Sequence, residues 1–268
     1  MQTDHRGEVT MNVLESFSLK GKVALIIGGS GLYGRQICEA LSEAGANTYV
    51  TTRQQDQVSV LQERFDNEGI RVTVEYLDQS QEETITALRD KLLNKEGRID
   101  VLVNNAVART MSEWNDDTEK FAQSMVVNAT GIYALTKIFG NVMETQKGGS
   151  IIQIGSMQGM IGPDPWLYEG KFPVSPDYFF HKGGMINFTK FAASYYGPSG
   201  VRCNCISPGG IQSYRTPDDF VERYSTRTML GRMANDTDLK GIVVFLASDA
   251  SRYITAANIP VDGGYTAK

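Results

Sequence analysis

Short apolar runs and amphipathic, helix-like stretches alternate along almost the entire chain, and this alternation restricts the fold more than any other feature. Residues 23–27 form a continuous apolar run, which is typical of a strand buried on both faces. Residues 33–44 have helical periodicity and end at Gly45. Because this order recurs up to a last strand at 258–261, the sequence predicts an α/β fold: a doubly wound parallel sheet with helices on both faces.

The remaining predicted elements keep to this order. We predict further strands near 47–51, 72–77, 99–103, 150–154 and 201–206. We predict further helices near 54–67, 81–95, 117–145, 177–196 and 236–248. Two stretches, near 157–176 and 209–233, lack regular periodicity, and loops of this length inside a compact domain usually bind ligands. We therefore expect both to be substrate loops.

The length of the chain favours a single domain. A chain of 268 residues is long enough for one large core but short for two. The first residues are polar and acidic without an apolar stretch, so we expect 1–16 to be a flexible N-terminal extension. Residues 17–268 would then form the single folded domain.

The composition argues against several classes of partner. The formal net charge is −5, so we expect neither nucleic acid nor an anionic membrane as a partner. No apolar run approaches the roughly 20 residues that cross a bilayer. The three cysteines, of which Cys203 and Cys205 are one residue apart, suit neither a disulfide framework nor a metal site. We therefore expect a cytoplasmic protein without a bound metal.

A glycine-rich turn separates the first predicted strand from the first predicted helix. It reads Gly-Gly-Ser-Gly-Leu-Tyr-Gly over residues 28–34. Glycine lets the backbone approach a pyrophosphate, and the N-terminus of the following helix supplies free N–H groups and a favourable dipole. The sequence therefore predicts a dinucleotide-binding domain, or Rossmann fold. The predicted contacts in the turn are Gly28, Ser30, Gly31, Leu32, Tyr33 and Gly34.

The end of the second predicted strand bears on the choice of dinucleotide. An Asp or Glu there would bind the ribose hydroxyls of NAD and repel a 2′-phosphate. The sequence has no acid from Tyr49 to Arg53, and the next acid is Asp56. The guanidinium of Arg53 is instead suited to a 2′-phosphate. The sequence therefore favours NADP as the cofactor, with NAD as the alternative.

Several short motifs follow the predicted strands or lie on the predicted helices. They are Asn104-Asn105-Ala106, Asn128, Ser156, the pair Tyr178 and Lys182, Ser207-Pro208-Gly209-Gly210 and Val261-Asp262-Gly263-Gly264. Together they resemble the short-chain dehydrogenase/reductase family, and the likeness extends over about residues 19–264. The short stretch that follows Gly210 resembles the single-domain branch of that family.

The resemblance implies an NAD(P)-dependent oxidoreductase that transfers a hydride between its cofactor and a carbonyl or alcohol substrate. It implies that Tyr178 is the general acid or base and that Ser156 holds the substrate oxygen. It also implies that Lys182 binds the nicotinamide ribose and that Asn128 anchors a water. The further cofactor contacts that it implies are Asp78, Asn105, Ala106, Tyr178, Lys182, Pro208, Gly209 and Ile211. Family members form oligomers, so a homotetramer or homodimer is expected.

The tyrosine–lysine motif occurs twice, starting at Tyr133 and at Tyr178. Each spacing puts both side chains on one face of a helix. Only the second pair begins a helix soon after the strand that ends in Ser156, so only it can reach the strand ends where ligands bind. We therefore assign Tyr133 to packing. His181 lies about 100° around the helix from Lys182, which favours a packing or surface role over a catalytic one.

Side chains in the predicted loops bear on the substrate. Aromatic rings that could stack on a sugar or an apolar substrate belong to Trp166, Tyr168 and Phe172. Guanidinium groups that could bind a phosphate or carboxylate, or stay solvated, belong to Arg109, Arg215, Arg223, Arg227 and Arg232. We consider a sugar or sugar derivative, with a 3-oxoacyl compound or small ketone as the alternative. A non-enzymatic dinucleotide sensor is the remote alternative, since such proteins tend to lose the tyrosine and lysine.

Overall fold

Seven parallel strands form one sheet, and helices cover both of its faces. The computed structural model describes residues 12–168 and 174–268. The strands are β1 Val23–Ile27, β2 Asn47–Thr52, β3 Thr73–Tyr76, β4 Val101–Asn104, β5 Gly149–Ile154, β6 Val201–Pro208 and β7 Asn258–Val261. Their spatial order is β3-β2-β1-β4-β5-β6-β7, so the winding direction reverses between β1 and β4. The predicted doubly wound fold is confirmed.

Helices connect the strands in the predicted order. They are α1 Leu32–Glu43, α2 Val58–Asn67, α3 Glu82–Glu96, α4 Thr118–Met125, α5 Ile132–Gln146, α6 Pro176–Tyr196, α7 Asp218–Arg227 and α8 Lys240–Ala247. In the described part of the chain, no helix is long and apolar enough to cross a membrane. Most of the predicted N-terminal extension lies outside the described residues, as do residues 169–173 of the first predicted substrate loop.

The side chains of β1 alternate between two cores on opposite faces of the sheet. Val23, Leu25 and Ile27 pack in the core that α3, α5 and α6 cover. Ala24 and Ile26 pack in the core that α1, α2 and α8 cover. All five side chains are buried, which explains why β1 is continuously apolar instead of alternating.

The single helix predicted over 117–145 is interrupted, because Val126–Gly131 forms a π-helical turn between α4 and α5. The side-chain amide of Gln79 donates to the carbonyl of Val127 at 2.9 Å, so a carbonyl inside the wide turn has a partner. Gly131 allows this approach, because a Cβ there would overlap the carbonyl of Gln79. π turns often mark functional sites, and this one contains Asn128.

The prediction that 209–233 is irregular is wrong for the ten residues of α7. Tyr224 is the one fully buried side chain of this helix, and Phe220 and Val221 pack only partly against Met157 and Leu167. Because so little of the helix is buried, its apolar periodicity is weak. Two other helices begin later than predicted: a 3-10 turn precedes α2, and α8 starts at residue 240 instead of 236.

Candidate active site

A cleft of about 1000 Å³ opens at the carboxyl ends of the strands, beside the point where the winding direction reverses. Ligands of open α/β sheets bind at this position. The predicted cofactor contacts that line it are Gly28, Ser30, Gly31, Leu32, Tyr33, Gly34, Arg53, Asp78, Asn105, Ala106, Tyr178, Lys182, Pro208 and Gly209. Ile211 does not line the cleft and contributes to a smaller cavity that adjoins it. Among the predicted catalytic residues, Asn128 does not line the cleft.

The glycine-rich turn is held in a shape that only glycines allow. Gly28 has a φ of +82°, and its carbonyl accepts a hydrogen bond from the side chain of Asn105. A Cβ at Gly34 would lie 2.7 Å from that carbonyl, so α1 packs directly on the turn. Gly31 provides no side-chain cap, so no side chain occupies the N–H groups at the start of α1. This cradle fits a pyrophosphate.

The far end of the cleft carries a cation beyond the end of β2. Arg53 lines the cleft, is exposed and forms no ion pair with the described residues. Asp78 lines the same end, and its Oδ1 accepts hydrogen bonds from the amide and the hydroxyl of Ser80. Arg53 is therefore free to pair with an anionic group of a ligand, whereas the carboxylate of Asp78 is held by Ser80.

Ser156, Tyr178 and Lys182 meet at the opposite end of the cleft. Ser156 follows β5, and its hydroxyl accepts a hydrogen bond from the amide of Gln158 at 3.1 Å. The ammonium nitrogen of Lys182 lies 5.6 Å from the centre of the Tyr178 ring. The phenol, the hydroxyl and the ammonium therefore share the side of the cleft that lies away from Arg53.

The second tyrosine–lysine pair has almost the same internal geometry in a different place. The ammonium nitrogen of Lys137 lies 5.9 Å from the centre of the Tyr133 ring, on the outer face of α5. Tyr133 is 52% exposed and contacts Phe188, so it is not packed in the core. Location relative to the strand ends, not local spacing, distinguishes the two pairs.

Lys182 is a cation inside the protein. It is 2% exposed, and its ammonium group donates a hydrogen bond to the carbonyl of Ile154 at the end of β5. Burial lowers the pKa of Lys182, whereas the nearby Tyr178 acts to raise it. A buried charge with one hydrogen-bond partner in the described chain costs stability, which is expected of a functional group and not of a structural one.

Asn128 holds the loop after β4 against the π turn. Its side chain accepts from the amide of Ala108 at 2.9 Å and donates to the carbonyl of Ala108 at 2.8 Å. It also donates to the hydroxyl of Ser124, which in turn donates to the carboxylate of Asp177. Asp177 precedes Tyr178, so this buried chain of contacts links α4, the π turn and the start of α6.

Sequence reasoning did not single out Ser124, Asp177 or the hydroxyl of Tyr33. Ser124 and Asn128 are four residues apart, and Asp177 directly precedes Tyr178, so their spacing carried a usable signal. Tyr33 donates from its hydroxyl to the carbonyl of Gly209 at 2.9 Å, and this contact closes the glycine-rich turn against the end of β6. No sequence signal connects residues so far apart in the chain.

His181 is buried beside Tyr178. Its ring lies edge-on to the Tyr178 ring at 5.2 Å, and the side chain is 4% exposed. Burial, followed by the charges of Lys182 and Arg109, lowers the pKa of His181 to about 3. The ring is therefore neutral at pH 7, and the packing role predicted for His181 is the one that the structure supports.

A cavity of about 320 Å³ adjoins the cleft beside Ser156 and Tyr178. Tyr168 from the first predicted substrate loop and Ile211 and Phe220 from the second line it. Trp166 lies outside this cavity under the guanidinium of Arg227, and Phe172 lies outside the described residues. Both predicted loops therefore contribute to a space of the size that a small substrate needs.

Comparisons with known proteins identify relatives over almost the full chain. The family described as Enoyl-(Acyl carrier protein) reductase matches residues 30–266. The chain is 32% identical to trans-4-hydroxycyclohexanecarboxylate dehydrogenase from Sinomonas cyclohexanicum, an alignment that covers 92% of this chain and 93% of the relative. The family match includes residues 30–34 of the glycine-rich turn and the tyrosine–lysine pair at 178 and 182.

Solved structures also match this chain over almost its full length. A gluconate 5-dehydrogenase from Burkholderia cenocepacia J2315, in complex with NADP and tartrate, matches with a TM-score of 0.84 and 28% identity over 96% of this chain and 100% of that one. A short-chain dehydrogenase from Leptospira borgpetersenii with bound NAD+ matches with a TM-score of 0.82 and 30% identity over 99% and 100%. The chain belongs to the short-chain dehydrogenase/reductase family and is an NAD(P)-dependent oxidoreductase that acts on small molecules.

Proposed function

We propose that this enzyme interconverts a carbonyl and an alcohol with Tyr178 as its general acid or base. A bound nicotinamide would supply or accept the hydride. Tyr178 would donate its phenolic proton to the substrate oxygen during reduction and remove that proton during oxidation. Ser156 would donate a hydrogen bond to the same oxygen. The observation that carries the proposal is the convergence of Ser156, Tyr178 and Lys182 beside a cavity of substrate size.

Two further residues would prepare Tyr178 for this role. The ammonium of Lys182 lies near the phenol and would favour its ionised form, besides binding the nicotinamide ribose. Asn128 would act without touching the substrate, because its contacts with Ala108 and Ser124 fix the wall of the site. It would also anchor a water that leads protons to Lys182. The glycine-rich turn would hold the pyrophosphate, with Asp78, Asn105, Ala106, Pro208, Gly209 and Ile211 as further cofactor contacts.

We propose a sugar or sugar derivative as the substrate. The cavity is lined by hydroxyl groups and by the aromatic ring of Tyr168, which suit a polyhydroxylated ring. The gluconate dehydrogenase activity named for a structural relative supports this class. The family description favours one competitor, an acyl substrate. A turnover screen that follows the reduced nicotinamide tests the sugar class. The substrates are sugar acids, neutral sugars, 3-oxoacyl thioesters and simple ketones, and preferred turnover of the thioesters would reject the sugar class.

We propose NADP as the preferred nucleotide, with the 2′-phosphate bound by Arg53. Replacing Arg53 with Glu would put a like charge next to that phosphate. We expect the ratio of kcat/KM for NADPH to that for NADH to fall at least about tenfold in Arg53→Glu. Arg71→Glu, an exposed change just before the amino end of β3, is the matched control. An unchanged ratio in Arg53→Glu would reject this assignment.

We propose that the enzyme is a homodimer or homotetramer that buries an aromatic stripe on α5 and α6. The stripe consists of Tyr133, Phe180, Phe188, Phe191 and Tyr195. Four of these rings are more than half exposed, and Phe191 stacks with its neighbours at interplanar angles of 13° and 15°. Such contiguous exposed apolar surface usually marks a protein interface.

A charge inside the aromatic stripe is expected to dissociate the oligomer. Phe191→Glu would bury an unpaired carboxylate in the interface, which costs several kcal/mol. We expect the wild type to sediment as a dimer or tetramer at micromolar concentration and Phe191→Glu to sediment as a monomer. Tyr253→Glu changes a fully exposed aromatic residue outside the stripe and serves as the control. A wild type that sediments as a monomer would contradict the proposal.

A further inference from the structure

The five arginines that the sequence suggests as anion-binding candidates differ in whether they already have partners. Those of the second loop all do: Arg223 pairs with Asp219, Arg227 with Asp164, Arg232 with Asp238, and Arg215 donates to the hydroxyl of Tyr214. Arg109, which follows β4, forms no ion pair and no hydrogen bond through its side chain with the described residues. It is therefore the arginine that is free to bind a ligand.

Arg109 lies beside the reacting groups. Its guanidinium carbon is 4.6 Å from the centre of the Tyr178 ring, close enough for a cation–π contact. The side chain lines both the nucleotide cleft and the smaller substrate cavity. A ligand group that pairs with Arg109 would therefore lie within a few bonds of the carbon that Tyr178 and Ser156 act on.

The described lining of the substrate cavity offers this cation no carboxylate partner. No Asp or Glu is among the described residues that line it. Two lining hydroxyls are already engaged, because Tyr33 donates to the carbonyl of Gly209 and Tyr224 accepts from the amide of Gly210. The charge of Arg109 is also one cause of the lowered pKa of Lys182, so the two cations act on each other. A bound anion would relieve this repulsion.

We propose that the substrate carries a carboxylate, which Arg109 binds beside the ring of Tyr178. This inference rests on the proposed carbonyl–alcohol function and names the class of substrate. The planar guanidinium can bind both oxygens of a carboxylate, and its single charge matches a monoanion. Lys182, a second cation beside Tyr178, is buried and held by the carbonyl of Ile154. The enzyme is thus an oxo-acid reductase or hydroxy-acid dehydrogenase, which for a sugar derivative means a sugar acid.

Matched pairs of substrates isolate the carboxylate. One pair is 2-oxogluconate and fructose, which differ at C1, and the other is 4-oxopentanoate and its methyl ester. The readout is the ratio of kcat/KM for the acid to kcat/KM for its neutral partner, measured with the wild type, Arg109→Gln and Arg109→Lys. Any effect of Arg109 on the chemistry of Tyr178 applies to both members of a pair and cancels in the ratio. Arg215→Gln is the control.

We expect the wild type to prefer at least one acid over its neutral partner. Arg109→Gln should lower that ratio at least about tenfold, and Arg109→Lys should lower it less, since it keeps the charge but loses the fork. Equal losses for acid and neutral partner in Arg109→Gln would overturn the proposal and leave a role through Tyr178 alone. Preference for a phosphate monoester over either acid would also overturn it.

A binding measurement separates this proposal from the proposed function. Pentanoate and pentanamide are titrated into the enzyme–NADP complex, with binding followed by ligand-observed NMR. Stronger binding of pentanoate, lost at least about tenfold in Arg109→Gln but kept in Arg215→Gln, supports the carboxylate site even if every carbonyl compound fails to turn over. In that case the proposed reaction fails while the site stands. Equal binding of acid and amide by the wild type would reject the site.

Discussion

Replacing Tyr178 with Phe is expected to lower kcat by about 100- to 10 000-fold, the range that general acid–base catalysis contributes. The change removes one oxygen atom and keeps the ring that contacts Lys182, Arg109 and His181. Cofactor affinity should stay within about twofold, since the phenol would act on the substrate oxygen and not on the phosphates or the adenosine. Steady-state turnover and titration of the quenching of protein fluorescence by NADPH measure the two quantities separately.

The second tyrosine–lysine pair provides a matched control within the same chain. Tyr133→Phe makes the same chemical change next to a lysine at nearly the same distance, but on an exposed helix face. We expect it to leave kcat unchanged. Turnover near the wild-type rate in Tyr178→Phe, or an equal loss in both variants, would contradict the assignment of Tyr178 as the proton carrier.

The parts of the fold that the sequence predicts are those in which local pattern and burial agree. The apolar run of β1, the glycines after it and the start of α1 are adjacent in the chain and have one shared consequence, the cradle at Gly28 and Gly34. Likewise, the spacing of Tyr178 and Lys182 is sufficient to put both on one helix face. Such features need no information about distant residues.

Features that depend on contacts between distant segments were not predictable. The π turn exists where Gln79 meets the carbonyl of Val127, 48 residues away in the chain. Helix α7 contributes only one fully buried side chain, so its sequence resembles that of a loop. The exposure of Tyr133 also escaped prediction, because an aromatic ring on an exposed helix face can have the same sequence pattern as one in the core.

Arg109 illustrates the same limit at the site. Five arginines near the predicted loops were equivalent as sequence, and each could have bound an anion or stayed solvated. Four of them find an acidic or hydroxyl partner in the fold, and this separates them from Arg109. The distinction arises from the positions of Asp164, Asp219 and Asp238, which no local pattern of arginines reveals.

Lys182→Met is expected to raise stability while it abolishes most of the activity. Lys182 is 2% exposed, burial lowers its pKa, and the hydrogen-bond partner of its ammonium group in the described chain is one carbonyl, that of Ile154. Methionine has a similar length and no charge to desolvate. Replacing buried ionised groups by well-packed apolar side chains of similar volume is often neutral or stabilising by about 1–4 kcal/mol, and we expect a gain in this range. Activity should fall at least about 100-fold, because the charge beside Tyr178 is lost.

The pH dependence gives this prediction a second signature. The pKa of Lys182 is lower in the folded chain than in the unfolded one, so between these two pKa values the unfolded chain binds more protons. As the pH rises through this window, the free energy of unfolding of the wild type should therefore increase relative to that of Lys182→Met. Urea unfolding at pH 7 and pH 10 measures it, with Lys190→Met, an exposed change on the same helix, as the control. A Lys182→Met variant that is both inactive and less stable than the Lys190→Met control would contradict this prediction. Lys182 would then be a structural residue, because a buried charge that is retained for function lowers the stability of the fold.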